Sequence, residues 1–231
     1  MWDAQAVPDG WRAIAPALPG FDGTPLPSPD STSIDDYARS VLDLLDALRV
    51  DSFVVGGVSM GGYVTFGVWR LASSRCRGVI LADTRAGADG ETARAARQQM
   101  LDLVRREGPA AVASGMLPKL LGATTRARRP EVGAHVRRLI ESQIADGIAA
   151  AIVRLRDRPD STPLLPEMRA PALIVVGEED ELTPPAESEN MREAMPQATL
   201  VTIPGAGHLP NLEAPDAFTA ALTTLLDSLR S

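Results

Sequence analysis

Three kinds of reactive side chain are scarce in this sequence. Cys76 is the only cysteine, so no intramolecular disulfide can form and no cysteine–histidine cluster is available to hold a metal. It reads as a small residue at the start of a buried strand. Only two histidines are present, His135 and His208, which narrows any imidazole chemistry to two positions. Lys119 is the only lysine among 23 basic residues, and no function follows from that alone. No run approaches the roughly 18–20 apolar residues of a membrane span. No charged segment followed by an apolar core opens the chain, so no signal peptide is read and a cytoplasmic location is expected. Internal repeats are missing too. The formal net charge of −7 and pI near 4.9 argue against nucleic acid as a partner. What remains is a globular composition, 231 residues with 45% hydrophobic side chains, enough for one α/β domain with a sizeable core.

The most informative stretch is Phe53 to Tyr63, FVVGGVSMGGY. Phe53, Val54 and Val55 have the β-branched and aromatic character of a buried strand. Gly56 to Gly62 break the pattern, and a helix-compatible segment follows from Tyr63 to about Leu71. A strand that turns sharply into a helix with a serine at the apex is a nucleophile elbow. Ser59 must then adopt a positive-φ conformation that lifts its hydroxyl clear of the sheet edge. Side chains two before and two after it would collide, which accounts for Gly57 and Gly61. The following helix points its free N–H groups at the site.

Elsewhere, Trp11 to Ala15 reads as a strand. It leads into a loop stiffened by Pro16, Pro19, Pro25, Pro27 and Pro29. Ser33 and Asp36 suggest a weak capping box for a helix burying Ile34, Tyr37, Val41, Leu45 and Leu48. Gly78 to Ala82, Ala172 to Val176 and Thr199 to Ile203 read as further buried strands. Helices are expected at Pro185 to Ala194 and Pro215 to Leu229. Strands alternating with helices imply a mostly parallel sheet covered on both faces. Between Arg85 and Pro163 the strand signals vanish. Four helices are read there, Glu91 to Glu107, Pro109 to Leu121, Pro130 to Asp146 and Gly147 to Arg156, punctuated by Gly108, Gly122 and Gly147. The division is thus a core of 1–84 and 164–231 and a helical lid of 85–163 inserted between two strands.

A serine nucleophile needs a base, and the base an orienting acid. His208 follows a strand in a Gly-rich loop, GAGHLP, so it reaches the carboxyl edge of the sheet where ligands bind in open α/β folds. His135 sits within a lid helix beside Arg137 and Arg138 and reads as solvated. Asp180, after ALIVVGEE, reaches the same edge and is the preferred acid. Asp83, after GVILA, and Glu178, Glu179 and Glu181 are the alternatives.

The order Ser59, Asp180, His208 is that of α/β-hydrolases. The stretches WRAIAPALPGF, SFVVGGVSMGGYVTFGV, GVILADTRA, PALIVVGEEDELTPP and LVTIPGAGHLPNLEAPDAF resemble successive core motifs of the lidded bacterial members. The nearest resemblance is to small esterases and 3-oxoadipate enol-lactonase-like proteins. It spans nearly the whole chain and matches the lid least specifically. It implies the α/β-hydrolase fold, with Ser59, Asp180 in Gly177-Glu178-Glu179-Asp180 and His208 in Gly205-Ala206-Gly207-His208 carrying the reaction. Two departures stand out. The family usually has an aspartate where this chain has Ala17. It also begins with two or three strands and an HG-containing loop that this chain does not show. Met1-Trp2 resembles a point within the helix after that loop. The resemblance therefore implies an N-terminally incomplete hydrolase, lacking its second oxyanion donor and poorly stable or nearly inactive.

The expected reaction is hydrolysis of a small-molecule ester or lactone through an acyl-enzyme. The Met60 N–H supplies one oxyanion hydrogen bond, and no metal or organic cofactor is required. Met116, Leu117, Leu120, Ile144 and Ile148 are candidates to line an acyl pocket, with packing between lid and sheet as the alternative. Carbon–carbon bond hydrolases and cofactor-free perhydrolases share the triad. Haloalkane dehalogenases and epoxide hydrolases would need an aspartate at position 59. A non-catalytic or truncated protein of the same fold is the reading from outside enzymology.

Overall fold

The computed structural model describes residues 1–230. Four strands, β1 (Phe53–Val58), β2 (Cys76–Ala82), β3 (Ala172–Gly177) and β4 (Ala198–Ile203), pair in that order, every pair parallel. Their apolar residues alternate between the two faces. Val79, Leu81 and Ile174 pack with Tyr37 of α1 (Asp35–Ala47), with Phe66 and Val68 of α2 (Met60–Ala72), and with Met191 of α8 (Pro185–Ala194). Val58, Ala82, Leu173, Val175 and Ile203 pack with Phe218 and Leu225 of α10 (Pro215–Ser228). A parallel sheet needs cover on both sides, and this period-2 division supplies it. Cys76 begins β2 and is buried.

The first 34 residues form turns and extended segments only. Trp11 to Ala15 is not a strand, which corrects the expectation. A strand exists through its ladder, and β1, the end strand of the sheet, pairs only with β2. The segment is held by side chains instead. Trp11 packs toward the α10 face and lies against Arg77, 5.8 Å from guanidinium to ring, while Ile14 packs toward the other face. The capping box at Ser33 is also corrected. Ser33 Oγ accepts from the Asp35 N–H at 3.1 Å, but Asp36 turns away to pair with Arg39 and Arg154.

The insertion between β2 and β3 is helical: α3 (Glu91–Glu107), α4 (Pro109–Leu120), α5 (Ala123–Arg128), α6 (Pro130–Glu141) and α7 (Ala145–Arg156). The short α5 was not read from the sequence, and α6 stops before the expected Asp146. Gly147 does not punctuate these helices; it lies inside α7. A Cβ there would stand 1.9 Å from the Gly20 carbonyl oxygen, so the glycine admits close contact with the Pro-rich loop. Asp22 and Gln143 join the same loop and the lid through two hydrogen bonds.

Where the insertion leaves and re-enters the core, arginines hold the two roots together. The Ser161 N–H donates to the Ala86 carbonyl at 2.9 Å. Buried Asp89 receives Arg85 at 2.5 Å, Arg158 at 2.8 Å and Arg97 at 3.2 Å. Arg158, itself buried, also lies 4.1 Å from the Tyr63 ring centroid and donates to the Gly87 carbonyl. A second buried arginine, Arg154 of α7, reaches Asp36 and the carbonyls of Ser28 and Ser31. Guanidinium is suited to this work because its fork of donors serves several acceptors at once. Removing one partner of a buried charge cluster leaves its neighbours uncompensated. Asp89→Asn should therefore lower the unfolding free energy by about 3–5 kcal/mol in urea denaturation. A change below about 1 kcal/mol would show that the cluster is not a structural anchor.

Candidate active site

Ser59 follows β1 with φ 55° and ψ −111°, a conformation that non-glycine residues rarely adopt. The end of β2 stabilises it. The Ser59 N–H donates to the Ala82 carbonyl at 2.9 Å, and the Thr84 hydroxyl donates to the Ser59 carbonyl at 3.0 Å. A Cβ on Gly57 would stand 2.5 Å from the Gly61 Cα, so Gly57 is required. Gly61 is different: a Cβ there would meet nothing within 4 Å, which corrects the expectation of a clash on both sides. Met60 opens α2, so its N–H has no acceptor inside the helix and faces the serine end of the turn.

Asp180 and His208 come from the loops after β3 and β4 and meet directly. His208 Nδ1 lies 2.8 Å from Asp180 Oδ2. The Thr183 hydroxyl donates to the same oxygen at 2.6 Å, and the Leu182 and Thr183 N–H groups donate to Oδ1 at 2.8 and 3.1 Å. Both residues are buried. Burial works against the Asp180 carboxylate, but the hydrogen bond and charge of His208, with the Thr183 donors, outweigh it and hold its pKa below the ordinary aspartate value. With Nδ1–H engaged by the carboxylate, Nε2 is the nitrogen left to act as a base. Among the described residues no hydrogen bond joins the Ser59 hydroxyl to His208. All three residues stand at the carboxyl ends of parallel strands, where open α/β sheets bind ligands.

The His208 loop is shaped by a residue that the sequence reading passed over. Buried Glu213 accepts from the Gly207 and Leu209 N–H groups, both at 3.0 Å, and from the Gly122 N–H of the lid at 2.8 Å. Glu213 lies in α9 (Pro210–Glu213), which was read as loop. The available signal was a lone carboxylate in an otherwise Gly-, Pro- and Leu-rich stretch. Thr183 was missed as well, though Asp followed three residues later by Thr is turn chemistry visible in sequence.

The alternative acids have other partners. Glu178 accepts from the Gly205 N–H at 3.1 Å, and Glu179 from the Thr124 N–H and hydroxyl at 2.8 and 2.6 Å. Glu181 is exposed. Asp83 is wholly buried, and its carboxylate, that of Asp180 and a His208 nitrogen offer ligand atoms within 4.8 Å of one another. Two carboxylates and an imidazole could hold a cation in principle, but His208 Nδ1 and Asp180 Oδ2 are occupied by their mutual hydrogen bond. His135 lies half-buried on α6. The five candidate pocket residues are spread over several surroundings. Met116 and Ile148 pack into the core of the lid, Leu117 and Leu120 pack against the α10-side cluster, and Ile144 is 55% exposed.

The helical insertion between β2 and β3 touches both loops at this edge. The His208 N–H donates to the Leu120 carbonyl at 3.2 Å, next to the Gly122 and Thr124 contacts just described. No helix among the described residues is long and apolar enough to cross a membrane.

A thermophilic esterase from Thermogutta terrifontis, solved with malate bound, superposes with a TM-score of 0.94 at 38% identity, covering all of this chain and 85% of that one. The 3-oxoadipate enol-lactonase 2 of Acinetobacter baylyi is 28% identical over 195 residues, 84% of this chain and 70% of the enol-lactonase. Haloalkane dehalogenase 2 of Mycobacterium tuberculosis is 26% identical over 226 residues, 94% of this chain and 79% of the dehalogenase. Residues 1–221 match the profile of the alpha/beta hydrolase family as a whole, and the chain belongs to that family.

Proposed function

We propose that this protein is a serine hydrolase that cleaves small carboxylic esters or lactones. The observation that carries the reading is the strained Ser59 turn at the same sheet edge as a buried, hydrogen-bonded Asp180–His208 pair. Ser59 attacks the carbonyl carbon while His208 Nε2 accepts the hydroxyl proton. Asp180 holds the imidazole tautomer and offsets the imidazolium charge. The Met60 N–H and the N-terminus of α2 stabilise the oxyanion. His208 then returns the proton to the leaving oxygen, and water repeats the sequence on the acyl-enzyme. The chemistry needs no metal or organic cofactor. The esterase and enol-lactonase likenesses support an ester or lactone carbonyl as the target. Displacement at a halogenated carbon would call for an aspartate where this chain has Ser59, so the dehalogenase likeness is not carried over to the reaction. Residues 85–163 serve as the lid, with the Leu120–Thr124 turn resting on the acid and histidine loops.

Hydrolysis of short-chain p-nitrophenyl esters tests the assignment. Ser59→Ala and His208→Ala should each lose about 10³-fold or more in kcat, because triad members act as a unit. His135→Ala should stay within about three-fold. Full activity in Ser59→Ala would refute the nucleophile.

Asp180 also sets a pH dependence. Its native pKa is lowered, so its contribution to stability is fully present above the ordinary aspartate value and fades as the pH falls through the lowered native value. Asp180→Asn should make the acid limb of stability against pH shallower while cutting kcat about 10³- to 10⁴-fold. An unchanged acid limb would mean that the carboxylate is not stabilised by its partners.

A further inference from the structure

Asp83 is a second carboxyl beside the proposed acid–base pair, and the mechanism does not use it. Its Oδ1 accepts the Gly177 N–H at 2.8 Å. Its Oδ2 is buried and has no donor from any described residue. The Asp180 carboxyl lies close by: ligand atoms of Asp83, Asp180 and His208 all fall within 4.8 Å of one another. Two ionised carboxylates are acceptors only and cannot bond to each other; one proton between them turns the contact into a hydrogen bond. Asp180 cannot be the one that carries it without giving up its role, since its oxygens already accept from His208, the Thr183 hydroxyl and two amides.

We infer that Asp83 is a positioning residue held as a neutral carboxylic acid, whose O–H is directed at Asp180, so that the carboxyl pair carries a single negative charge fixed on the residue that faces His208. The inference rests on the reading of Asp180 and His208 as acid and base. Burial pushes the Asp83 carboxyl well above the ordinary aspartate range. The Gly177 N–H opposes this, and the charges of Asp180 and Glu213 add to it. The facing titratable groups are Asp180 on the β3 loop and His208 and Glu213 beyond β4. The backbone agrees with a fixed role. Asp83 has φ 44°, and its N–H donates to the Val175 carbonyl at 2.9 Å, which aims the side chain across β3. No proton is transferred in the reaction cycle; the hydrogen stays on Asp83. A neutral neighbour removes the repulsion that would otherwise push the shared charge off Asp180 and away from the imidazole.

Infrared spectroscopy of the whole protein in D₂O at neutral pH tests the charge state without reference to catalysis. Wild type and Ser59→Ala should show the carbonyl stretch of a protonated carboxylic acid, and Asp83→Asn should lose it. Asparagine mimics the neutral acid, with its Oδ1 accepting from Gly177 and its amide donating to Asp180, and it tolerates a positive φ. Asp83→Asn should therefore fold and keep kcat within about three-fold. Asp83→Ala should lose about ten-fold in kcat with KM nearly unchanged. A carboxyl whose native pKa is raised keeps its proton in the folded state longer than in the unfolded one. Wild type should thus lose stability relative to Asp83→Asn as the pH rises above the ordinary aspartate value. Absence of the acid band in wild type, failure of Asp83→Asn to fold, or a fall in its kcat to the level of Asp180→Asn would each overturn the inference. If the serine-hydrolase reading itself were at fault, Ser59→Ala would stay active while the band and the stability trend remained.

Discussion

The site depends on one unfavourable backbone conformation. A serine held at φ 55° costs on the order of 1–3 kcal/mol and persists only where its surroundings over-determine it. Here β2 does so. Ala82 and Thr84 bind the Ser59 N–H and carbonyl, and Gly57 lets the backbone at Gly61 come close enough for α2 to begin at once. β1 is the end strand of the sheet, so the lateral hydrogen bonds that hold the elbow all come from the β2 side. β2 in turn is held in register by β3, whose Val175 carbonyl accepts the Asp83 N–H. The Ser59 turn and the buried Asp83 carboxyl are thus consecutive consequences of the same strand end.

The acid and histidine loops are tied to each other before the lid is considered. The Glu178 N–H donates to Ile203, the Glu179 N–H to Ala206, and the Gly205 N–H to the Glu178 side chain. The helical insertion adds a third backbone to this assembly. Its Leu120–Thr124 turn gives a carbonyl to the His208 N–H and receives carboxylates from Glu179 and Glu213. At its other end the Asp89 cluster fixes the roots of the insertion to Tyr63 in the first turn of α2. The insertion therefore contacts the His208 loop through its middle and α2 through its roots.

Much of this was legible in the sequence because it is local. The strand–turn–helix around Ser59, the periodic apolar residues of β2, β3 and β4, and the residues preceding Asp180 and His208 are short-range patterns, and short-range physics creates them. What was not legible depends on partners far along the chain. Trp11 to Ala15 has strand composition but lacks the neighbour that would make it a strand. Gly147 looked like a helix break because Gly20, with which it packs, is more than a hundred residues away. The excess of arginine over lysine carried no message until buried Asp89 was seen with three arginines and half-buried Asp36 with two. Glu213 looked like an ordinary loop acid because the three amides that it binds belong to two segments, one of them in the lid. The lid residues chosen as pocket lining were chosen for hydrophobicity alone, which does not distinguish a wall from a core.

The acidic side chains at this edge show how one residue type takes different roles in one small space. Glu179 and Glu213 accept from backbone and hydroxyl donors and so join loops. Asp180 is ionised because His208 and Thr183 compensate its burial. Asp83 has a single amide on one oxygen and burial on every side, an environment that favours the uncharged form. The environments of two neighbouring carboxyls push their pKa values in opposite directions, a separation that recurs where two acids must do different work at one pH. The difference arises from the donor count. Asp180 lies in a loop whose next residues, Leu182 and Thr183, turn their N–H groups back onto it, whereas Asp83 lies at a strand end whose neighbouring backbone is already committed to the sheet. Both residues are aspartates, so the difference between them belongs to the strand ends and not to the side chain.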